Sequence, residues 1–207
     1  MAKLTASELQ VQDPKRFQKE YSKWTEYAVE YDWWEYMEER LRETLAPAGV
    51  RVDKLWFSLS YSQGDYATFE GHIMVWEWME ATKDGDQTYA DKYPALHLAL
   101  ADYGEDATVT TYNRSCGGRV NLDGNVFGNT YPTGIFAGLE QEAWDELVEA
   151  QFYEAGLEQA LQDYVDAISD ELYTDLCDEY EHLTSEQSFI ESCECNDVTF
   201  ELEESEA

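Results

Sequence analysis

Hydrophobic and polar positions follow a helical period near the start of the chain. Asp13-Pro14 is typical of a helix start, with Asp13 as the N-cap residue and the proline in the first turn. An apolar stripe at helical spacing follows and consists of Phe17, Tyr21, Trp24, Ala28 and Tyr31. After Asp32 the phase resets to a second stripe of Trp34, Met37, Leu41 and Leu45. The pattern therefore predicts two helices, or one bent helix, within residues 14–46.

Residues 50–127 change to the shorter period of strands. Alternation over residues 50–60 predicts one strand, and the sequence Ser62-Gln63-Gly64-Asp65 predicts the turn that ends it. Residues 67–78 then predict a second strand, or a strand that continues into a helix. A hairpin is therefore expected in this part of the chain.

The rest of this region is less uniform. Residues 93–103 fit a helix or a strand equally well. β-Branched and aromatic side chains at residues 108–113 predict a strand. Residues 119–126 are expected to pair back onto that strand after the turn Gly117-Gly118.

Residues 139–183 return to the helical period. The apolar stripe there consists of Leu157, Leu161, Tyr164, Val165, Ile168 and Leu172. Asp163, Asp166 and Asp170 fall on the opposite face of such a helix. Asp175 and Glu179 fall on the stripe itself, which predicts that the helix ends, bends or restarts near Thr174.

Together with a short strand expected at residues 198–203, these elements predict a single domain over residues 1–207. The fold class is α+β: a small, mostly antiparallel sheet flanked by N-terminal aromatic helices and C-terminal acidic helices. Hydrophobic residues make up 43% of the chain and aromatic residues 14%. Because disordered acidic chains are poor in aromatic residues, we expect a packed core.

Charge is divided unequally along the chain. All 13 Lys and Arg lie in the first 119 residues with 21 of the 45 acids, and the other 24 acids lie in residues 120–207 without a single Lys or Arg. The net charge of −32 is therefore −8 before residue 120 and −24 from there on. Folded proteins normally intersperse the two signs, because like charges repel in the compact state. Such a chain disfavours direct contact with nucleic acid or an anionic membrane and indicates a basic partner.

The cysteines fit a reducing compartment. The chain has no run of about 18 apolar residues that could span a membrane, and its N-terminus lacks the apolar stretch of a secretion signal. We therefore expect a cytoplasmic protein with reduced thiols. Cys177, His182, Cys193 and Cys195 are close enough in sequence to hold zinc, but their spacing matches no common zinc module. Zinc binding by these four residues stays an open alternative.

Catalytic and cofactor-binding motifs are not found in the sequence. It has no P-loop, dinucleotide-binding fingerprint, G-x-S-x-G or H-E-x-x-H pattern. Cys116 is a candidate nucleophile, but a strand end at the following glycine turn is the commoner reason for such a cysteine. Acidic turns at Asp84 and Asp123 lack the spacing of an EF-hand. We therefore expect a protein that is not an enzyme and uses no cofactor or metal.

The most distinctive local sequence is the predicted hairpin at residues 55–71. Its motif positions are Phe57, Ser58, Ser62, Gln63, Gly64, Asp65, Ala67, Phe69 and Gly71. This pattern resembles a motif of small, mostly uncharacterised proteins of tailed bacteriophages and related prophage genes. The resemblance implies a phage origin and an α+β fold, and it implies no activity. A structurally demanding hairpin is the favoured interpretation of the motif, with a binding site at residues 62–65 as the alternative.

The charge pattern also resembles that of phage DNA-mimic proteins, including antirestriction proteins and some anti-CRISPRs. Residues 140–181 hold 15 acids and no Lys or Arg. As a continuous helix they would carry one charge per roughly 4 Å, against about 3.4 Å for one strand of B-DNA. The resemblance implies a non-enzymatic inhibitor, made in the cytoplasm of an infected bacterium, that binds a basic host protein of defence or transcription in its DNA- or RNA-binding cleft. The predicted DNA-mimic face consists of Glu158, Asp163, Asp166, Asp170, Glu171, Asp175, Asp178, Glu179 and Glu181.

The acidity of the chain is also compatible with roles that need no partner. The acids could serve only solubility, or adapt the protein to high salt, although the first 119 residues keep ordinary basic content. The alternative function is an antitoxin-like or adaptor protein that binds a protein partner through the hairpin at residues 62–65 and the N-terminal aromatic helix. The sequence identifies neither the target protein nor the oligomeric state, and both a monomer and a homodimer are compatible with it.

Overall fold

The computed structural model describes residues 3–59, 64–103, 108–113, 120–123 and 156–201. It confirms the predicted α+β class, because the chain combines helices with short antiparallel strands. Within these ranges no helix is both long and apolar enough to cross a membrane.

Helices and strands are numbered in chain order. The N-terminal part contains β1 (Lys3–Leu4), α1 (Ala6–Gln12), α2 (Pro14–Thr25) and α3 (Glu35–Leu45). The following part contains β2 (Val50–Ser58), β3 (Tyr66–Met74), α4 (Val75–Ala81), β4 (Lys83–Asp84), β5 (Gln87–Thr88), α5 (Tyr89–Lys92), α6 (Pro94–Tyr103), β6 (Thr108–Asn113) and β7 (Val120–Asp123). The C-terminal part contains α7 (Leu157–Leu183), α8 (Glu186–Cys195) and β8 (Phe200–Glu201).

The chain divides into two compact units. Met1–Glu35 and Asp175–Ala207 form the terminal unit, and Tyr36–Thr174 forms the central unit. The two ends of the sequence therefore fold together. The sequence analysis predicts a single domain, but its change of apolar phase after Asp32 and its predicted interruption near Thr174 lie close to the boundaries of the two units.

The central unit is built on a four-stranded antiparallel sheet in the order β2-β3-β6-β7. The predicted hairpin consists of β2 and β3. Strand β3 continues directly into α4, which confirms the predicted alternative of a strand that runs into a helix. The core of the central unit joins side chains of the sheet, of α4 and α6, and of the start of α7, among them Phe69, Ile73, Trp78, Leu100 and Leu161. The first turns of α7 are therefore fixed by burial of their apolar side.

A glycine permits the close approach of β2 and β3. Gly71 pairs with Val52, and the register between the strands shifts between Val52 and Lys54, which is a β-bulge. A Cβ atom on Gly71 would lie 1.9 Å from the carbonyl oxygen of Arg51. Any side chain at this position would push the two strands apart.

Side chains of α3 cover part of the outer edge of β2. Arg42 donates from Nε to the Val52 carbonyl at 2.9 Å and from Nη2 to the Asp53 carbonyl at 3.0 Å. Glu38 accepts from the Leu55 amide at 3.0 Å and also pairs with Arg42. These contacts use backbone groups of an edge strand that could otherwise pair with another chain.

The terminal unit is held together by an aromatic core. Phe17 of α2 and Phe189 of α8 meet edge to face, with ring centroids 5.4 Å apart. The Tyr21 hydroxyl donates to the Thr184 carbonyl at 2.6 Å, and β1 pairs antiparallel with β8. Residues nearly 200 positions apart in sequence thus form one small core.

Two helices and one strand of the terminal unit, α1, α8 and β1, are absent from the sequence-based prediction. Both helices begin with a readable capping signal. Thr5 and Glu8 form a capping box, with Thr5 Oγ1 accepting from the Glu8 amide at 3.2 Å and Glu8 accepting from the Thr5 amide at 2.9 Å. Ser185 caps α8 by accepting from the Ser188 amide at 3.1 Å.

Two predicted helix ends are wrong. Helix α2 ends at Thr25, so Ala28 and Tyr31 lie beyond it rather than on its aromatic face. Helix α7 continues through Thr174 to Leu183, so the predicted end or restart of the helix near Thr174 is wrong. The apolar stripe carries on through buried Leu176, and the two acids that fall on the stripe, Asp175 and Glu179, are half-buried.

Some predicted features lie outside the described residues. These are Ser62 and Gln63 of the turn, Cys116 with Gly117-Gly118, the helical region over residues 139–155, and the ends of the predicted sheet and tail regions at residues 124–127 and 202–203.

Candidate functional site

The clearest candidate surface is a row of carboxylates on α7 within the central unit. Asp163, Asp166 and Asp170, here called the central acidic face, are all exposed. On the opposite side of the same helix, Leu161 and Val165 are fully buried in the core. The amphipathic period of α7 therefore holds these three charges in solvent on an element that the core fixes.

Two of the three carboxylates accept hydrogen bonds from glutamine side chains one turn earlier. Gln159 Nε2 donates to Asp163 Oδ1 at 2.7 Å, and Gln162 Nε2 donates to Asp166 Oδ1 at 2.8 Å. An amide orients a carboxylate but brings no positive charge. These contacts restrict the positions of the acids and leave their charge intact.

The density of charge on α7 approaches that of a nucleic-acid strand. With a rise of about 1.5 Å per residue, the three carboxylates follow one another by about 4.5 Å and 6 Å along the helix axis. The nine acids of the predicted mimic face all lie on the 27 residues of α7. That is one charge per about 4.5 Å, against about 3.4 Å of axis for one strand of B-DNA.

The other acids of the predicted mimic face differ in exposure. Glu158 and Glu171 of the central unit are exposed, and so are Asp178 and Glu181 of the terminal unit. Asp175 and Glu179, which the sequence pattern places on the apolar stripe, are half-buried. Those two side chains therefore offer a partner less of their charge than the rest.

The motif hairpin has a structural role in the described residues. Gly64 has φ of +117°, a conformation that favours glycine. The Ser58 hydroxyl donates to Asp65 Oδ1 at 3.2 Å and ties the end of β2 to the start of β3. Ala67 and Phe69 are buried in β3, and Gly71 is required by the neighbouring strand. Ser62 and Gln63 lie outside the described residues.

The four candidate zinc ligands differ in position and exposure. Cys177 and His182 lie on α7, and Cys193 and Cys195 lie on α8, where the first is buried and the second exposed. Burial, and then the charge of Glu194, raises the pKa of the Cys193 thiol above its ordinary value of 9.0. Among the residues that the structure describes, no three His, Cys, Asp or Glu side chains are grouped as ligands for a metal ion.

The terminal unit contains an apolar cavity that the sequence analysis does not predict. It has a volume of about 350 Å³. Its apolar wall comes from α2, α8 and the segment that leads into β8, and consists of Trp24, Tyr27, Phe189, Cys193, Val198 and Phe200. Because the wall joins side chains from both ends of the chain, no local pattern could indicate it.

Comparison with known protein families finds a match that covers most of the chain. The model of the family described as Domain of unknown function (DUF8835) matches residues 33–186. The chain belongs to this family. The DUF8835 region contains the motif hairpin and the central acidic face, and it excludes all residues that line the cavity of the terminal unit.

No curated protein and no solved structure matches the chain.

Proposed function

We propose that the protein binds a basic protein that itself binds DNA or RNA, and that the central acidic face occupies that protein's nucleic-acid site. The proposal is supported by three exposed carboxylates on a core-anchored helix, two of them oriented by amides. The segment from residue 120 onwards supplies no Lys or Arg that could neutralise them.

Electrostatics gives such a surface two properties. A strong field of one sign steers an oppositely charged partner into contact and raises the association rate. The attraction is screened by salt, because the Debye length falls from about 10 Å at 0.1 M to about 3 Å at 1 M. A protein of this kind competes with nucleic acid for the same basic groups and inhibits its partner without any chemical step.

The same proposal places the protein in phage infection, as a non-enzymatic inhibitor of a host defence or transcription protein. Its support is the resemblance of the hairpin motif to phage proteins and of the charge pattern to phage DNA mimics. The DUF8835 match adds no activity of its own.

The test is affinity capture from a bacterial lysate with the immobilised protein. We expect it to retain a basic nucleic-acid-binding protein at low salt, and added duplex DNA or raised salt to release that protein. Substitution of Asp163, Asp166 and Asp170 by Asn should weaken the capture strongly while the fold, followed by circular dichroism, is retained.

A matched control removes three charges elsewhere in the central unit. Glu39, Glu43 and Asp86 are exposed acids outside α7, and their replacement by Gln, Gln and Asn changes the net charge equally. We expect this variant to capture nearly as much as the unchanged protein. Equal losses in the two variants would show that only total charge matters, and unchanged capture by the Asp163, Asp166, Asp170 variant would contradict the proposal.

A further inference from the structure

The apolar cavity of the terminal unit has the construction of a binding pocket. Its volume of about 350 Å³ falls in the range of about 300–1,000 Å³ that is typical of ligand sites. The rings of Trp24 and Phe189 stand 5.5 Å apart at 49° and form adjoining walls. Phe189 is buried against Phe17, so the pocket rests on the core of the unit and is formed before anything binds.

Part of the wall is exposed to solvent in the free protein. Tyr27 is 62% exposed and Val198 is 43% exposed, although both are large apolar side chains. Covering this wall would remove apolar surface from water, which is the main driving force for insertion of an apolar group. The polar lining is modest: Lys23 at the cavity is already paired with Glu20 at 2.9 Å.

The net charge of the unit that holds the pocket restricts what can bind there. The terminal unit holds 19 acids and five Lys or Arg, a net charge of −14. A segment that carries acids, or a lipid surface with anionic head groups, would be repelled. A segment with Lys and Arg near the inserted group would be attracted.

We propose that this pocket receives one apolar anchor side chain, aromatic or long aliphatic, from a protein segment whose neighbouring residues are basic. The basic neighbours rest on the proposed function, whereas the apolar anchor rests on the pocket alone. Anchors of this kind in desolvated pockets usually dominate the energy of an interface, and charges around them contribute more to the association rate. Because the pocket lies outside residues 33–186, it would give this chain a specificity that the DUF8835 region does not supply.

The experiment compares two lysine-rich peptides that differ only at a central position, which is tryptophan in one and serine in the other. Binding to the full chain is followed by fluorescence anisotropy of a dye on each peptide. We expect the tryptophan peptide to bind about ten-fold or more tightly, as for an interface anchor. This ratio should persist when salt is raised, because burial of an apolar group is not screened, whereas both affinities fall.

Matched variants locate the effect. Tyr27→Ala and Val198→Ser each remove part of the exposed wall, and both should reduce the ratio between the peptides. Tyr31→Ala and Val11→Ser are the controls, since those side chains are 57% and 80% exposed in the same unit and do not line the pocket. Use of two wall variants guards against a loss of folding in one of them.

The outcomes separate this inference from the proposed function. Equal affinity of the two peptides, or an affinity ratio that is unchanged in both wall variants, would contradict binding of an anchor in the pocket. Neither result would contradict the proposed function of the central acidic face. A neutral peptide with the same tryptophan should bind more weakly than the lysine-rich one. If it binds as tightly, the basic neighbours of the anchor are refuted, and with them the support that the pocket gives to a basic partner.

Discussion

Acidic side chains are held differently before and after residue 120. In the first region, carboxylates of the described residues form ion pairs with cations close in sequence: Glu20–Lys23, Glu38–Arg42 and Asp84–Lys92. In the second region the chain has no Lys or Arg. Carboxylates there accept instead from glutamine amides, in the pairs Gln159–Asp163, Gln162–Asp166 and Gln187–Glu191.

The contrast is sharpest between pairs of the same geometry. Glu38–Arg42 and Gln159–Asp163 both join residues four apart on a helix. Each contact restricts a carboxylate, but only the guanidinium neutralises it. The same helical spacing therefore occurs on α3, where two Arg accompany four acids, and on α7, where nine acids have no Lys or Arg beside them.

The largest expected effect comes from the buried side of the acidic helix. Leu161 is fully buried in the core of the central unit. Its replacement by Ala should lower the free energy of unfolding by about 2–5 kcal/mol, since it loses apolar burial and leaves a cavity. Urea unfolding measures this change. Leu98, a leucine of the same unit that is 52% exposed, is the control, and Leu98→Ala should stay within about 0.5 kcal/mol. Similar costs would mean that the core does not anchor α7.

A smaller effect is expected in the ion-paired region. Arg42→Ala removes two hydrogen bonds to β2 carbonyls and the partner of Glu38. The bond to the Val52 carbonyl is part-buried and that to the Asp53 carbonyl is exposed to water, so the loss should cost about 0.5–1.5 kcal/mol in unfolding free energy. Lys83→Ala, at an exposed cation on β4, is the comparison and should change little. If both variants unfold alike in urea, the guanidinium acts only through its charge.

Alkaline pH should lower the stability of the folded state through a buried tyrosine of α7. Burial raises the pKa of the Tyr164 phenol on α7 above its ordinary value of 10.0. Its folded pKa therefore exceeds its unfolded one, so the contribution to stability is complete below about pH 10 and is lost as pH rises through the folded pKa. Tyr164→Phe should flatten the decline of urea-unfolding stability above about pH 10; Tyr31→Phe, at a side chain that is 57% exposed, is the comparison variant. A decline that is identical in both variants would place its cause elsewhere.

The smallest effect on stability should follow from conversion of amide pairs into ion pairs. Gln159→Lys with Gln162→Lys places cations four residues before Asp163 and Asp166. Stability should change by only about 0.2–0.5 kcal/mol, because exposed pairs at this spacing are weak. Capture of a basic partner should nevertheless fall clearly, since two carboxylates are then neutralised. Gln159→Ala with Gln162→Ala is the control that removes the amides without adding charge. Undiminished capture by the lysine variant would show that Asp163 and Asp166 are not part of the contact surface.

Local pattern was sufficient for much of the central unit and of the acidic face. Period-two alternation placed β2 and β3, and the helical period placed Asp163, Asp166 and Asp170 opposite Leu161 and Val165. The local pattern failed near Thr174, because two acids on the apolar stripe were interpreted as an interruption of the helix. In the structure, half-burial of Asp175 and Glu179 suffices, and α7 continues.

Sequence alone determined the unequal charge, the α+β class and the exposed carboxylates of α7, because each depends on composition or on neighbours within a few residues. Only the tertiary structure decided that Lys3–Leu4 pairs with Phe200–Glu201, that Gly71 must lack a side chain, and that Trp24, Phe189 and Val198 line one open pocket. Those features join residues far apart in the chain. The periods of separate segments contain no information about which of them meet, so packing had to supply it.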